Sequence, residues 1–269
     1  MNLNKKILEG KDIAQEHGIL YFSWRLIGFL HRNTTRHVMP NIGFHIRNQV
    51  KSSPKKLFDD WFFPPRSQQN MEGGVIKIHE LETRESDKVT IIGGGSGISC
   101  VRAAKIVGKT GQITVYEGGR QSVDKVKETV ILNEVNDICE INQCIVGEPR
   151  NVYGGEHENA PIKTPTELDY CDVLELDCEG SEVDILPDMS IRPRVVIVEI
   201  HPMNFDEPED YINDILEGLG YQIKWKFGHD GIEINENQFE LLLKNSKNSG
   251  SKYIANGARW PVVVGATLR

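Results

Sequence analysis

The sequence predicts an α/β protein, a doubly wound and mostly parallel sheet preceded by an N-terminal, mainly helical extension. Three observations carry this. A β-branched run, Val89-Thr-Ile-Ile92, leads into Gly93-Gly-Gly-Ser-Gly97 and then into a helix-compatible segment. That order is how an α/β sheet brings its backbone close to a nucleotide. Downstream, short apolar runs alternate with segments of helical period. The charge balance also changes near residue 75. Residues 1–75 carry eleven Lys/Arg and six Asp/Glu, while residues 76–269 carry twenty and thirty-three. Such a shift marks a boundary between an extension, 1–75, and a domain, 76–269.

The 269 residues, 39% hydrophobic and 26% charged, suffice for one large α/β domain with an extension and exclude disorder as the main state. A net charge of −8 argues against a general nucleic-acid binder. Cys100, Cys139, Cys144, Cys171 and Cys178 are odd in number and fit no zinc spacing. They read as reduced structural thiols. No apolar stretch near the N-terminus suits a signal peptide. The run over 19–30 is interrupted by Arg25 and falls short of the roughly 20 residues of a membrane span. A soluble, cytoplasmic protein is expected.

Within the extension, 7–30 reads as a helix in two pieces, broken near His17-Gly18. The second piece is apolar on nearly every face, which fits burial against the larger domain or in a homo-oligomer. The alternative is peripheral membrane contact through 19–36, helped by Arg25, Arg32 and Arg36. Residues 40–65 favour short turns. Trp61-Phe62-Phe63 beside Pro64-Pro65 is an aromatic patch that plugs a core or walls a pocket.

The domain then reads in order. Residues 75–79 form a strand-like lead-in and 89–92 the first parallel strand. A helix over 96–107 is closed by Gly108. The second strand, 113–117, ends in Glu117. A helix follows from Gly119-Arg120 to about 133, with Val123, Val126, Val130 and Ile131 as its apolar stripe. Residues 140–146 form a third strand and 147–166 a loop or hairpin. Strand four, 172–176, is near-continuously apolar, as a strand buried on both faces should be. A short helix over 180–186 stops at Pro187. Strand five, 194–200, a helix over 207–219 and strands at 221–227 and 260–268 complete the pattern.

The glycines indicate the ligand. Gly93, Gly95 and Gly97 fit G-x-G-x-G, but a dinucleotide fingerprint read from Gly93 needs glycine at 98, where Ile98 stands. This spacing favours S-adenosylmethionine over NAD, because the methyl donor has no pyrophosphate to seat on the helix N-terminus. Glu117, twenty residues after Gly97 at a strand end, is placed to accept hydrogen bonds from ribose hydroxyls.

Strand four and its loop read Asp172-Val-Leu-Glu-Leu-Asp177-Cys-Glu179-Gly180-Ser-Glu182, and strand five ends Val198-Glu199-Ile-His201-Pro202. Together with the glycine loop and Leu132-Asn133, these residues resemble the FkbM-type family of class I S-adenosylmethionine-dependent methyltransferases, over roughly residues 76–205. The resemblance implies a Rossmann-like methyltransferase sheet, S-adenosyl-L-methionine as cofactor, and O-methylation of a small-molecule or glycan hydroxyl. Its strongest element is D-x-E-G-x-E after a buried strand. One position departs: class I methyltransferases commonly carry an acid two residues before the first loop glycine, and Ile91 stands there.

Methyl transfer needs an aligned acceptor and, for a hydroxyl, removal of its proton. Glu117, Asp177, Glu179 and His201 all fall at strand ends, where parallel sheets bind ligands. Asp177 suits ordering of the methionine moiety or action near the acceptor. Glu179 and His201 suit acceptor binding or proton removal. The plainer alternatives are that Glu179 caps the helix after it and that His201 shapes the turn before Pro202. Asp177, Glu179 and His201 could also converge as hard metal ligands, but no spacing demands a metal and none is expected. A non-catalytic binding module that kept the fold is the second reading of the chain, and a NAD-dependent oxidoreductase the third.

Overall fold

The computed structural model describes residues 34–57, 72–149, 157, 159–201, 204, 211–249, 254–255, 258–259 and 261–269, with 23, 26–28 and 30 besides. The chain divides into two compact units. One comprises Met1–His45 and Ser53–Gln69, the other Ile46–Ser52 and Asn70–Arg269. The helical reading of 7–30 falls almost wholly outside the described residues, as do 19–22 of the membrane-contact stretch and the aromatic patch at 61–63. No helix among the described residues is long and apolar enough to cross a membrane.

Within 40–57, where turns were expected, Asn41–Arg47 (β1) and Val50–Lys56 (β2) pair in a two-stranded sheet. In the larger unit, Lys51 and Asn133 clasp each other: Asn133 Oδ1 accepts the Lys51 N–H at 3.1 Å, and its Nδ2 donates to the Lys51 carbonyl at 2.8 Å. Val50 beside them is fully buried.

The elements of the larger unit follow in order. They are α1 (Gly73–Glu82), β3 (Lys88–Ile92), α2 (Ile98–Val107), β4 (Gln112–Glu117), α3 (Arg120–Leu132), β5 (Cys139–Gln143), β6 (Ile145–Val146) and β7 (Ile162–Lys163). Then come β8 (Val173–Leu176), α4 (Glu182–Asp188), β9 (Val195–Ile200), α5 (Tyr211–Gly218), β10 (Tyr221–Gly228) and α6 (Glu236–Ser249). A minimal antiparallel ladder of β11 (Ile254–Ala255) and β12 (Ala258–Arg259) precedes β13 (Val262–Leu268).

Seven strands form one sheet in the order β10-β13-β9-β8-β3-β4-β5. The four pairings from β9 to β5 are parallel, and β13 runs antiparallel to both its neighbours. Chain order reverses at β3, which has β4 on one side and β8 on the other. In open α/β sheets, ligands lie beyond the strand carboxyl ends at such a switch point. The doubly wound, mostly parallel sheet expected from the sequence is therefore present.

Side chains of the central strands alternate between two cores. Leu174, Leu176, Val196, Val198 and Ile200 face one. Val89, Ile91, Val173, Val195 and Ile197 face the other, with α1, α2 and α3. Period-two alternation with both faces covered explains why these strands read as near-continuous apolar runs.

Several elements differ from the sequence reading. Residues 75–79 are helix, inside α1, which runs across the charge boundary at residue 75. Gly73 and Gly74 seat its first turn against the 228–231 turn: an added Cβ would lie 2.6 Å from the Asp230 carbonyl carbon and 2.6 Å from Gly228 O. The third strand is split, with β5 in the main sheet and β6 paired to β7 in a separate parallel ladder. Ile131 is 61% exposed and leaves the α3 stripe to Val123, Val126 and Val130. The short helix begins at Glu182 and contains Pro187. Helix α6, which buries Phe239, Leu242 and Leu243, was not foreseen.

Candidate active site

The cleft at the switch point is built from three strand ends. After β3 the chain turns through Gly93 at φ 95°, with its N–H donating to Tyr116 O at 2.9 Å. A Cβ there would lie 1.8 Å from Asp177 O, so only glycine lets the loop pass the end of β8. Gly95 and Gly97 also take positive φ, 51° and 77°. Gly97 is the N-cap of α2, and a Cβ on it would lie 3.1 Å from the Val126 Cα of α3. The loop is thus pressed between β8 and α3.

Glu117, at the end of β4, faces this loop. Its Oε2 accepts the Gly95 N–H at 3.0 Å and its Oε1 the Gly119 N–H at 2.9 Å. Burial raises its pKa, and those amides oppose the rise. Gly93, Gly95, Tyr116, Glu117, Ser122, Asp177, Cys178 and Glu179 line the cleft, which holds about 670 Å³ of empty space, part of it open to solvent.

After β8, Asp177 donates its N–H to Ile92 O at 2.9 Å, and Glu179 adopts φ 56°, a left-handed conformation rare for a residue with Cβ. Gly180 follows at φ 104°, where a Cβ would lie 2.7 Å from the Asn204 Cβ. Asn204 Nδ2 donates to Glu179 Oε2 at 3.1 Å. The tight path places the first two acids of D-x-E-G-x-E, Asp177 and Glu179, at the cleft wall.

His201 lies behind them, 4% exposed. Its Nε2 is 3.8 Å from Asp177 Oδ1, 3.6 Å from Glu179 Oε2 and 3.6 Å from Glu199 Oε1. Its Nδ1 is 3.6 Å from Glu182 Oε1. Burial alone lowers its pKa, but the charges of Glu182, Asp177 and Glu199 outweigh that and push it up to about 10. Those carboxyls favour the imidazolium over the neutral ring. Burial, with the charge of Glu199, raises Asp177 well above the carboxylate range despite His201. Glu179 is raised for the same reasons, burial first.

Gly93, Gly95, Glu117, Asp177 and Glu179 thus meet in one cleft as the sequence suggested. Gly97 sits behind the loop and His201 beneath the acids. Asp177, Glu179 and His201 bring one potential metal-ligand atom each within 4.8 Å of one another.

A second buried polar layer went unread. Glu175 and Glu199, in mid-strand, project toward α1 and α2. Glu175 Oε2 meets His79 Nε2 at 2.7 Å and its Oε1 accepts from Ser99 Oγ at 2.8 Å. Glu199 Oε2 lies 3.3 Å from His229 Nδ1, and Glu72 accepts from Ser96 Oγ at 3.0 Å and from the Ser99 N–H at 2.9 Å. The available signal was an acid inside a fully apolar strand, as in Val-Leu-Glu175-Leu and Ile-Val-Glu199-Ile. Such an acid is buried only with partners.

No protein-family profile matches the sequence, and no curated relative matches it. Solved structures with similar backbones include a SAM-dependent O-methyltransferase from Thermotoga maritima, at 14% identity and TM-score 0.47, covering 80% of this chain and 71% of that one. A ribosomal protein L11 methylase from Lactobacillus delbrueckii subsp. bulgaricus matches at 14% identity and TM-score 0.44, over 76% of this chain and 81% of that one. An O-methyltransferase from Bacillus cereus, solved in complex with SAH, matches at 11% identity and TM-score 0.41, over 72% and 80%. The architecture itself stands on the strand order and the antiparallel β13. The fold is Rossmann-like.

Proposed function

We propose that this chain is an S-adenosylmethionine-dependent methyltransferase of FkbM type, acting in the cytoplasm on a hydroxyl of a small molecule or glycan. The observation that carries the reading is the convergence of Gly93, Glu117 and Asp177 on one cleft at the topological switch point. The residues fit that cofactor. The loop passes Asp177 O where a Cβ at Gly93 would collide, a carboxylate at the end of the second parallel strand faces the cleft for ribose hydroxyls, and Asp177 is available to the methionine ammonium.

The cofactor supplies an electrophilic methyl on a sulfonium, for in-line transfer to the acceptor oxygen. This chain's residues align the acceptor and take its proton. Glu179 is the proposed proton acceptor: it lines the cleft, and its raised pKa brings it nearer that of a useful base. His201, whose surroundings favour the protonated ring, sits behind Asp177 and Glu179 and is not part of the cleft lining. This narrows the sequence reading, in which either Glu179 or His201 could remove the proton.

A second reading, a binding module without activity, is favoured by Ile91, which is fully buried where class I enzymes commonly carry an acid. Calorimetry with S-adenosylmethionine, S-adenosylhomocysteine and NAD tests both. Binding of the sulfur ligands but not NAD, with methyl transfer to a hydroxyl acceptor, supports the enzyme. Binding with no transfer across a broad acceptor panel supports the module, and binding of neither sulfur ligand sinks both.

A further inference from the structure

Ile91 leaves the glycine loop without its own strand's acid, and Gly97 leaves α2 without a side-chain cap. Helix α2 starts with Gly97 as N-cap, and no side-chain cap bond is made from that position. The close approach to Val126 forbids the Ser, Thr, Asp or Asn that normally caps a helix. The orphaned first-turn donors must be met from elsewhere.

Glu72 meets them from a separate element, 27 residues upstream of Ser99. Its Oε2 accepts the Ser99 N–H at 2.9 Å and its Oε1 the Ser96 Oγ–H at 3.0 Å, bracketing the loop-to-helix junction. Glu72 is itself held in a left-handed conformation, φ 60°, at the N-cap of α1. Its N–H points to His229 Nε2 at 3.4 Å. Ser99 Oγ then donates to Glu175 at 2.8 Å, and Glu175 is the register partner of Ile91 across β3 and β8. Glu72 in front of the helix and Glu175 beneath it thus bring carboxylates to this junction, where position 91 carries no acid and position 97 no side chain.

We infer that Glu72 is a positioning residue for the cofactor loop, fixing Ser96 to Ser99 so that Gly93 and Gly95 present their backbone to the ligand. This rests on the methyltransferase reading and deepens it. The groups facing Glu72 are Glu175, Glu199 and Asp177, which disfavour its ionisation, and the Arg47 guanidinium. His229 and the hydroxyls of Ser96 and Ser99 complete its surroundings. Burial and the charge of Glu175 raise Glu72 to about 7, against the opposing bonds from Ser99 and Ser96. An ionised cap holds an N–H more strongly than a protonated one, so the loop tightens as pH rises through neutrality.

The test compares full-length wild type, Glu72→Gln and Glu72→Ala by calorimetry with S-adenosylhomocysteine at acidic and alkaline pH. Amide hydrogen exchange at Ser99 is followed without ligand. Wild type should bind more tightly at the alkaline pH. Glu72→Gln, which keeps the volume, should lose most of that pH step, and Glu72→Ala should bind about tenfold more weakly, the scale of a lost cap. Both variants should exchange Ser99 faster than wild type. Wild-type exchange and wild-type pH dependence in Glu72→Gln overturn the inference. Failure of wild type to bind the ligand, with Ser99 exchange still raised in the variants, overturns the methyltransferase reading and leaves Glu72 as a helix cap alone.

Discussion

Glu117 accepts the backbone N–H of Gly95 at 3.0 Å, so the acid that ends one parallel strand is tied to the loop that ends its neighbour. Its second oxygen is anchored by Gly119 at 2.9 Å. The carboxylate is preorganised by backbone before any ligand arrives, and each oxygen keeps a further lone pair for an incoming hydroxyl.

Replacing Glu117 with Ala should weaken S-adenosylhomocysteine binding by about 1–3 kcal/mol, the cost of leaving buried polar groups unpaired. Calorimetry measures this directly. Unchanged affinity would show that the ribose lies elsewhere.

Gly93→Ala should be severe. The added carbon would meet Asp177 O at 1.8 Å, and φ at this position is 95°. Strain plus overpacking should cost about 3 kcal/mol or more, read as a fall in the urea midpoint together with lost ligand binding. Gly95→Ala, where nothing lies within 4 Å of the added carbon, should retain far more stability.

Imidazole NMR should show His201 as imidazolium throughout neutral pH, since its pKa is pushed from 6.5 to about 10. The linkage sign follows. A folded-state pKa above the unfolded value means that the native state holds the extra proton between the two. This contribution to stability is complete below about pH 6.5, declines above it, and is gone by about pH 10. Urea stability should fall between about pH 7 and about pH 8.5. A His201 resonance titrating near its ordinary pKa would refute the charge cluster described here.

Restoring an acid by Ile91→Asp should not improve the enzyme. Ile91 is fully buried in the α1–α3 core and pairs in register with Glu175. A second carboxylate there should cost about 3–5 kcal/mol, as an uncompensated buried charge does. Thermal unfolding reports the loss, and a variant as stable as wild type with tighter ligand binding would contradict this account of position 91.

The sequence by itself determined the sheet and the outline of the cleft. Runs such as Val195 to Val198 are apolar at every position because both faces are covered, and Gly108 and Gly220 punctuate helices, so local chemistry was enough to place these elements. The same holds for Gly93, Gly95, Glu117, Asp177 and Glu179, because strand ends in a parallel sheet point to one edge. Tertiary structure alone decided the rest. Residues 75–79 became helix because Gly73 and Gly74 pack on a turn more than 150 residues away. The pKa of His201 is raised because Glu182, Asp177 and Glu199 lie around it, an effect of through-space charge that no local pattern encodes. Glu72 acquired its place at the glycine loop by folding back onto Ser99. Periodicity reports a residue's neighbours along the chain, whereas protonation and capping at this site depend on neighbours across it.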